Sequence, residues 1–162
     1  MERTLYEKNA AWEELSMEER NSMEQNFGLW FTADKTEAEA GNYSPLVLAF
    51  LGDAVYELAV RTMLVKPGNA RPNQLNRKKS QLVRAEAQSA MMAMIEPELT
   101  EAEEAVYHRG RNAKSYTSAK NASITDYRRA TGFEALIGYL YLSGQTDRMY
   151  KIIALGIAAL QA

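Results

Sequence analysis

The sequence contains no cysteine and only one histidine, His108. The first absence excludes disulfides and thiolate metal sites, and the second leaves no cluster from which a zinc site could be built. Any metal held by this chain would therefore be hard and oxygen-bound, of the Mg²⁺ kind. No stretch reaches the roughly 20 apolar residues that span a bilayer. The opening MERTLYEKNAAWEEL is charged from its second residue and lacks a signal-peptide pattern, so a cytoplasmic protein is expected. Alternation of period two is also missing, which excludes strands of useful length and makes the expected fold class all-α. What remains is 162 residues, 46% hydrophobic and 25% charged, suited to one soluble globular domain with a substantial core.

The net charge of −2 conceals an uneven distribution. Residues 1–40 carry ten acidic and four basic side chains, and residues 41–162 carry eleven acidic and fifteen basic ones. Acid is absent between Glu57 and Glu86, a stretch holding Arg61, Lys66, Arg71, Arg77, Lys78, Lys79 and Arg84. It is absent again between Glu104 and Asp126, where His108, Arg109, Arg111, Lys114 and Lys120 lie. Two basic blocks in an acidic chain fit a polyanionic partner, and equally a pair of solvated helix faces.

The chain divides near residue 40. Residues 1–40 read as an acidic, helical extension, with a capping box at Ser16–Glu19 opening a helix to about Phe27 and a polar linker from Thr32 to Tyr43. Residues 41–162 read as the folded domain. Ser44-Pro45 starts a helix that runs to about Val65, and Lys66-Pro67-Gly68-Asn69 ends it. A second helix is expected from Asn73 or Asn76 through to Ile95, broken by Glu96-Pro97. Thr100 to Glu103 is another capping box, opening a helix that fades near Gly110. Residues 111–125 read as a basic loop, after which Thr125 or Asp126 caps a helix to Leu142. A last helix covers Asp147 to Leu160.

Two of these helices carry an isolated carboxylate among large apolar residues: Asp53 in LVLAFLGDAVYELAVRTM and Glu134 in TGFEALIGYLYL. An unpaired buried charge costs several kcal/mol, roughly, so each must either pair with a cation or face a cleft. Structural ion pairs, with Arg128 or Arg129 for example, account for them as well as a metal site does. Inward carboxylates on separate helices are nevertheless how helical bundles assemble metal sites. Glycines at 52, 132 and 138 would let backbones approach there.

FLGDAV at 50–55 resembles the signature of the ribonuclease III family, close to LEFLGDAVL. FEALIG at 133–138 followed by Tyr141-Leu142 resembles that family's second motif, close to ADxFEAxIGAxYL. PLVLAFLGDAVYE, RGRNAK at 109–114 and YRRATGFEALIGYLYL at 127–142 are similar to Mini-ribonuclease III, the compact form without a double-stranded RNA-binding domain. The resemblance covers about residues 44–160. It implies a homodimeric ribonuclease III fold in which the signature helices meet at a two-fold axis, with Val47, Phe50 and Ala54 as interface residues. It implies that Asp53 and Glu134 are catalytic and bind Mg²⁺, and that phosphodiester cleavage leaves a 5′ phosphate and a 3′ hydroxyl. Two further carboxylates of the larger relatives are missing, since Ala49 and Thr131 stand in their places.

The substrate implied is double-stranded RNA, in particular the large-subunit ribosomal RNA precursor, with a ribosomal protein or assembling ribosomal subunit as a further partner. Without a separate binding domain, the basic blocks must grip the RNA. The groups suited to phosphates and 2′-hydroxyls are Arg77, Lys78, Lys79, Arg109, Arg111, Asn112, Lys114, Lys120 and Asn121. Two rivals stay open: a catalytically silent RNA-binding or ribosome-associated protein, and a structural helical interaction module.

Overall fold

The computed structural model describes residues 13–114 and 122–161, so the expectations for Lys120 and Asn121 lie outside it. The described residues are helical, with no strand among them, and none of their helices is long and apolar enough to cross a membrane. The chain falls into two compact units that divide between Ala33 and Asp34. In the first, α1 spans Met17–Trp30 and is opened by the expected capping box. The Ser16 backbone N–H donates to Glu19 Oε2 at 2.8 Å and the Glu19 N–H donates to Ser16 Oγ at 3.2 Å.

The second unit contains α2 (Glu37–Gly41), α3 (Pro45–Val65), α4 (Pro72–Val83), α5 (Ala85–Ile95), a 3₁₀ turn (Glu96–Glu98), α6 (Glu101–Asn112), α7 (Ile124–Leu142) and α8 (Thr146–Gln161). Its hub is α7, which packs against α3, α5, α6 and α8. From Ala130 to Leu140 every α7 residue is buried except Glu134. Tyr56 of α3 meets Phe133 of α7 edge-on, with ring centroids 5.0 Å apart.

The contact between α3 and α7 is backbone on backbone. A Cβ at Gly52 would fall on the Glu134 carbonyl and lie 2.7 Å from the Gly138 nitrogen, while one at Gly138 would fall on the Leu48 carbonyl. Only glycine permits this approach. The helices can therefore lie closer than the usual 8–10 Å between axes that side chains enforce.

Several expectations are corrected. The stretch from Thr32 to Tyr43 is not all linker, because Thr36 and Glu39 form a capping box that nucleates α2. The helix expected to run unbroken to Ile95 is interrupted at Arg84, whose backbone is extended at φ −66° and ψ 152°. Carbonyls at the end of α4 are satisfied there by side chains from elsewhere. The Tyr56 hydroxyl donates to the Leu82 oxygen at 2.9 Å, and Gln88 Nε2 donates to the Val83 oxygen at 3.0 Å. The α6 helix continues past Gly110 to Asn112, with Arg109 and Arg111 in its last turn, where cations suit the helix dipole. The cap of α7 is Ser123, whose Oγ accepts from the Asp126 N–H at 3.0 Å, rather than Thr125 or Asp126. On α3 the core face is Leu48, Ala49, Gly52, Tyr56 and Val60, whereas Phe50 is 84% exposed and Leu58 is 66% exposed.

A buried ion pair ties α6 to α8. Glu103, 2% exposed, closes the Thr100 capping box and accepts from Arg148 Nε and from a terminal guanidinium nitrogen, both at 2.7 Å. Burial pushes the Glu103 carboxyl up, but Arg148 and the Thr100 N–H together hold it below the ordinary range.

Candidate active site

Asp53 follows Gly52 directly, and Glu134 is the residue whose backbone Gly52 touches. The glycine contact that joins α3 to α7 thus brings the two carboxylates near enough for Glu134 to feel the charge of Asp53. Burial pushes Glu134 up to about 8, and the charge of Asp53 adds to the rise, while the neighbouring Gln88 amide opposes it. Asp53 is raised in the same sense by burial and by Glu57 one turn on, against the pull of Lys79. An exposed Asp53 beside a partly buried Glu134, both raised, is a site where a cation gains what the protons lose.

Among the described residues no group of three or more acidic, histidine or cysteine side chains could hold a metal ion. Two carboxylates with an all-oxygen donor set fit a small hard ion that keeps most of its coordination from water or a phosphate. Neither lost carboxylate position compensates. Ala49 is buried on the α3 core face, and Thr131 is committed to its own helix, its hydroxyl donating to the Tyr127 oxygen at 3.0 Å.

The basic candidates separate by environment. Lys79 is closest to the carboxylates: its Nζ lies 3.3 Å from Glu57 Oε1, its side chain is only 20% exposed, and its charge reaches Asp53. Glu57 also receives Arg61, at 2.9 Å through Nε, and is held in its charged form by both cations. Lys79 and Arg61 line a groove of about 400 Å³ between α3 and α4. Arg77 and Lys78 are exposed on α4. Arg109 is exposed but tied down, donating to the Gly41 carbonyl at 2.5 Å. Arg111, Asn112 and Lys114 are exposed at the end of α6.

Sequence reasoning missed Gln88 and the part played by Glu57. A signal for Gln88 was available: a carboxamide sits on the stripe that continues through Met91, Met92 and Ile95, where apolar residues belong.

The raised carboxyl at Glu134 has a consequence for stability. The unfolded chain ionises this group near 4.5 and the folded chain near 8, so between those values the unfolded state binds fewer protons. Its contribution therefore makes the metal-free protein less stable as pH rises through that window. Melting temperatures in chelator from pH 5 to 9 are expected to fall further for wild type than for Glu134→Gln. Equal slopes for the two would remove the assignment.

Residues 46–145 match the family described as Ribonuclease III domain. Mini-ribonuclease 3 of Brevibacillus brevis is 52% identical over 118 residues, which cover 73% of this chain and 88% of that one. Mini-ribonuclease 3 of Clostridium tetani is 50% identical over 123 residues, 75% of this chain and 82% of that one. A crystal structure of a Fusobacterium nucleatum protein aligns with a TM-score of 0.67 at 31% identity, over 76% of this chain and 98% of that one. Two motif carboxylates joined at a glycine contact, on helices that lie inside the matched region, agree with these likenesses: the chain belongs to the ribonuclease III family, on its Mini-ribonuclease 3 branch.

Proposed function

We propose that this endoribonuclease cuts double-stranded or structured RNA, with Mg²⁺ held between Asp53 and Glu134. The observation that carries the reading is the backbone contact between Gly52, next to Asp53, and Glu134, where burial and the charge of Asp53 raise the Glu134 carboxyl to about 8. Mg²⁺, when bound, supplies positive charge against the phosphodiester and a hydroxide source at neutral pH. Asp53 on α3 and Glu134 on α7 would hold the ion. Lys79, pinned by Glu57 beside Asp53, keeps a positive charge near an incoming phosphate. Arg77 and Lys78 on α4, with Arg111 and Asn112 on α6 and Lys114 just beyond it, offer exposed groups for the RNA backbone.

A second copy of the chain completes the reading. Val47, Phe50, Ala54 and Leu58 form an exposed apolar stripe on α3, and Val47 and Phe50 are 51% and 84% exposed. A stripe of this kind on the helix that carries Asp53 suits a two-fold interface and one site per RNA strand. The family resemblance extends the proposal to maturation of the large-subunit ribosomal RNA precursor in the cytoplasm, with an assembling ribosomal subunit nearby.

The deciding experiment incubates a duplex RNA with the protein in Mg²⁺ and in chelator. Cleavage with 5′ phosphate ends in Mg²⁺ alone is expected, and tight binding without cleavage in Mg²⁺ or Mn²⁺ would establish the silent RNA binder instead. Salt titration of binding in chelator tests the grip. Neutralising Arg111 and Lys114 should weaken binding and lower the slope of log K against log salt by about one to two, and an unchanged slope would remove them from the interface. Sedimentation as a monomer at assay concentrations would overturn the paired-copy arrangement.

A further inference from the structure

Gln88 lies on the α5 face whose other members, Met91, Met92 and Ile95, enter the core, and it is 1% exposed. Burying a carboxamide is costly for each of its polar groups left without a partner. One N–H of Nε2 is used at the α4–α5 break, on the Val83 carbonyl at 3.0 Å. The helix that carries Gln88, α5, packs directly against α7, which carries Glu134, so the buried amide is enclosed on the side of that carboxyl. Its Oε1 is enclosed and has no hydrogen-bond partner among the described residues. A residue retained only to satisfy Val83 would carry that unpartnered acceptor into the core without return.

The surroundings sharpen the point. Carboxylates that ligate metals are themselves oriented by hydrogen bonds, and losing those partners typically costs about 10–100-fold in metal affinity or activity. The family's extra carboxylates are absent here, as Ala49 and the back-bonded Thr131 show, so Glu134 has few groups to fix its orientation. Gln88 is polar, wholly buried, and anchored at its far side by a backbone carbonyl.

We propose that Gln88 is a positioning residue of the active site: its carboxamide, anchored on Val83 at the α4–α5 break, holds the Glu134 carboxylate in the orientation that accepts a divalent cation. The inference rests on the assignment of Asp53 and Glu134 as metal ligands. It gives the interruption at Arg84 a purpose, because an unbroken helix would place the Val83 carbonyl in its own hydrogen-bond ladder and leave the amide unanchored.

The test uses the full chain without RNA, titrated with Mg²⁺ by calorimetry, and then the same protein in single-turnover duplex cleavage. Gln88→Leu is expected to raise the Mg²⁺ dissociation constant about 10–100-fold and to slow cleavage at saturating RNA, with partial recovery at high Mg²⁺. A merely structural Gln88 would lower the melting temperature and leave the metal affinity of the folded fraction unchanged, which would overturn the proposal. Should the leucine variant fail to fold, wild-type NMR decides. The side-chain NH₂ signals of Gln88 are expected to move with Mg²⁺, and signals that stay fixed while those of Asp53 and Glu134 move would overturn it. Asp53→Asn separates the two levels: if it retains Mg²⁺ affinity, the metal-ligand reading itself falls. If Asp53→Asn loses affinity and Gln88→Leu keeps it, only the positioning role falls.

Discussion

Glu134→Gln is expected to leave the chain folded and to reduce duplex RNA cleavage about 1,000-fold or more. Removal of a metal ligand forfeits several kcal/mol of transition-state stabilisation, and about 4 kcal/mol corresponds to that factor. Folding should survive because burial and the charge of Asp53 keep the Glu134 carboxyl protonated up to about 8, so the neutral glutamine replaces a neutral acid at pH 7. The metal-free melting temperature should be unchanged or higher. Mg²⁺, which stabilises wild type by mass action, should then no longer raise the melting temperature of the variant. Single-turnover cleavage together with melting in Mg²⁺ and in chelator checks all three. A variant that cuts within tenfold of wild type would remove Glu134 from the chemistry, and one that unfolds would mark it as a structural carboxylate.

Gly52→Val is expected to have the largest effect on the fold itself. Any Cβ at this position falls on the Glu134 carbonyl and within 2.7 Å of the Gly138 nitrogen, and both groups are backbone that cannot rotate away. Overpacking against mobile side chains costs about 1–3 kcal/mol. Against two helix backbones the cost should exceed about 4 kcal/mol, a large share of the 5–15 kcal/mol that keeps an ordinary domain folded. Alanine at the same site should be milder and more informative: α3 and α7 must part, carrying Asp53 away from Glu134. Chemical denaturation and cleavage together test this. Gly52→Ala with wild-type stability and wild-type cleavage would mean that the close approach is not needed.

The parts of the fold that were legible in the sequence are those whose causes are local. The capping boxes at Ser16–Glu19 and Thr100–Glu103 form as their spacing predicts, because each partner lies within one turn of the other. The helix from Pro45 to Val65 begins and ends where Ser44-Pro45 and Lys66-Pro67-Gly68 direct it. The break at Arg84 was hidden because one of its donors, the Tyr56 hydroxyl, lies 26 residues from the carbonyl it serves. Gln88 was overlooked for a related reason: on the unbroken helix that was expected, rich in Arg, Lys, Gln and Ser, a carboxamide reads as part of the solvated face despite its place on the stripe with Met91, Met92 and Ile95. The α3 helix posed a third difficulty. It is apolar on more than one side, so periodicity alone did not separate the face that packs on α7 from the face that carries Phe50 and Leu58 into solvent.

By itself, then, the sequence determined the helical class, the locally capped helix starts, the uneven charge, and the two family motifs that carry Asp53 and Glu134. All of these depend on residue identity and on spacings of a few positions. Only the tertiary structure decided which side of α3 is core, where α4 ends and α5 begins, that the charge of Lys79 rather than of Arg77 or Lys78 reaches Asp53, and that Gln88 is buried. Those outcomes depend on how closely two helices can approach. That approach is set by Gly52 and Gly138 meeting backbone across a gap that no side chain could share.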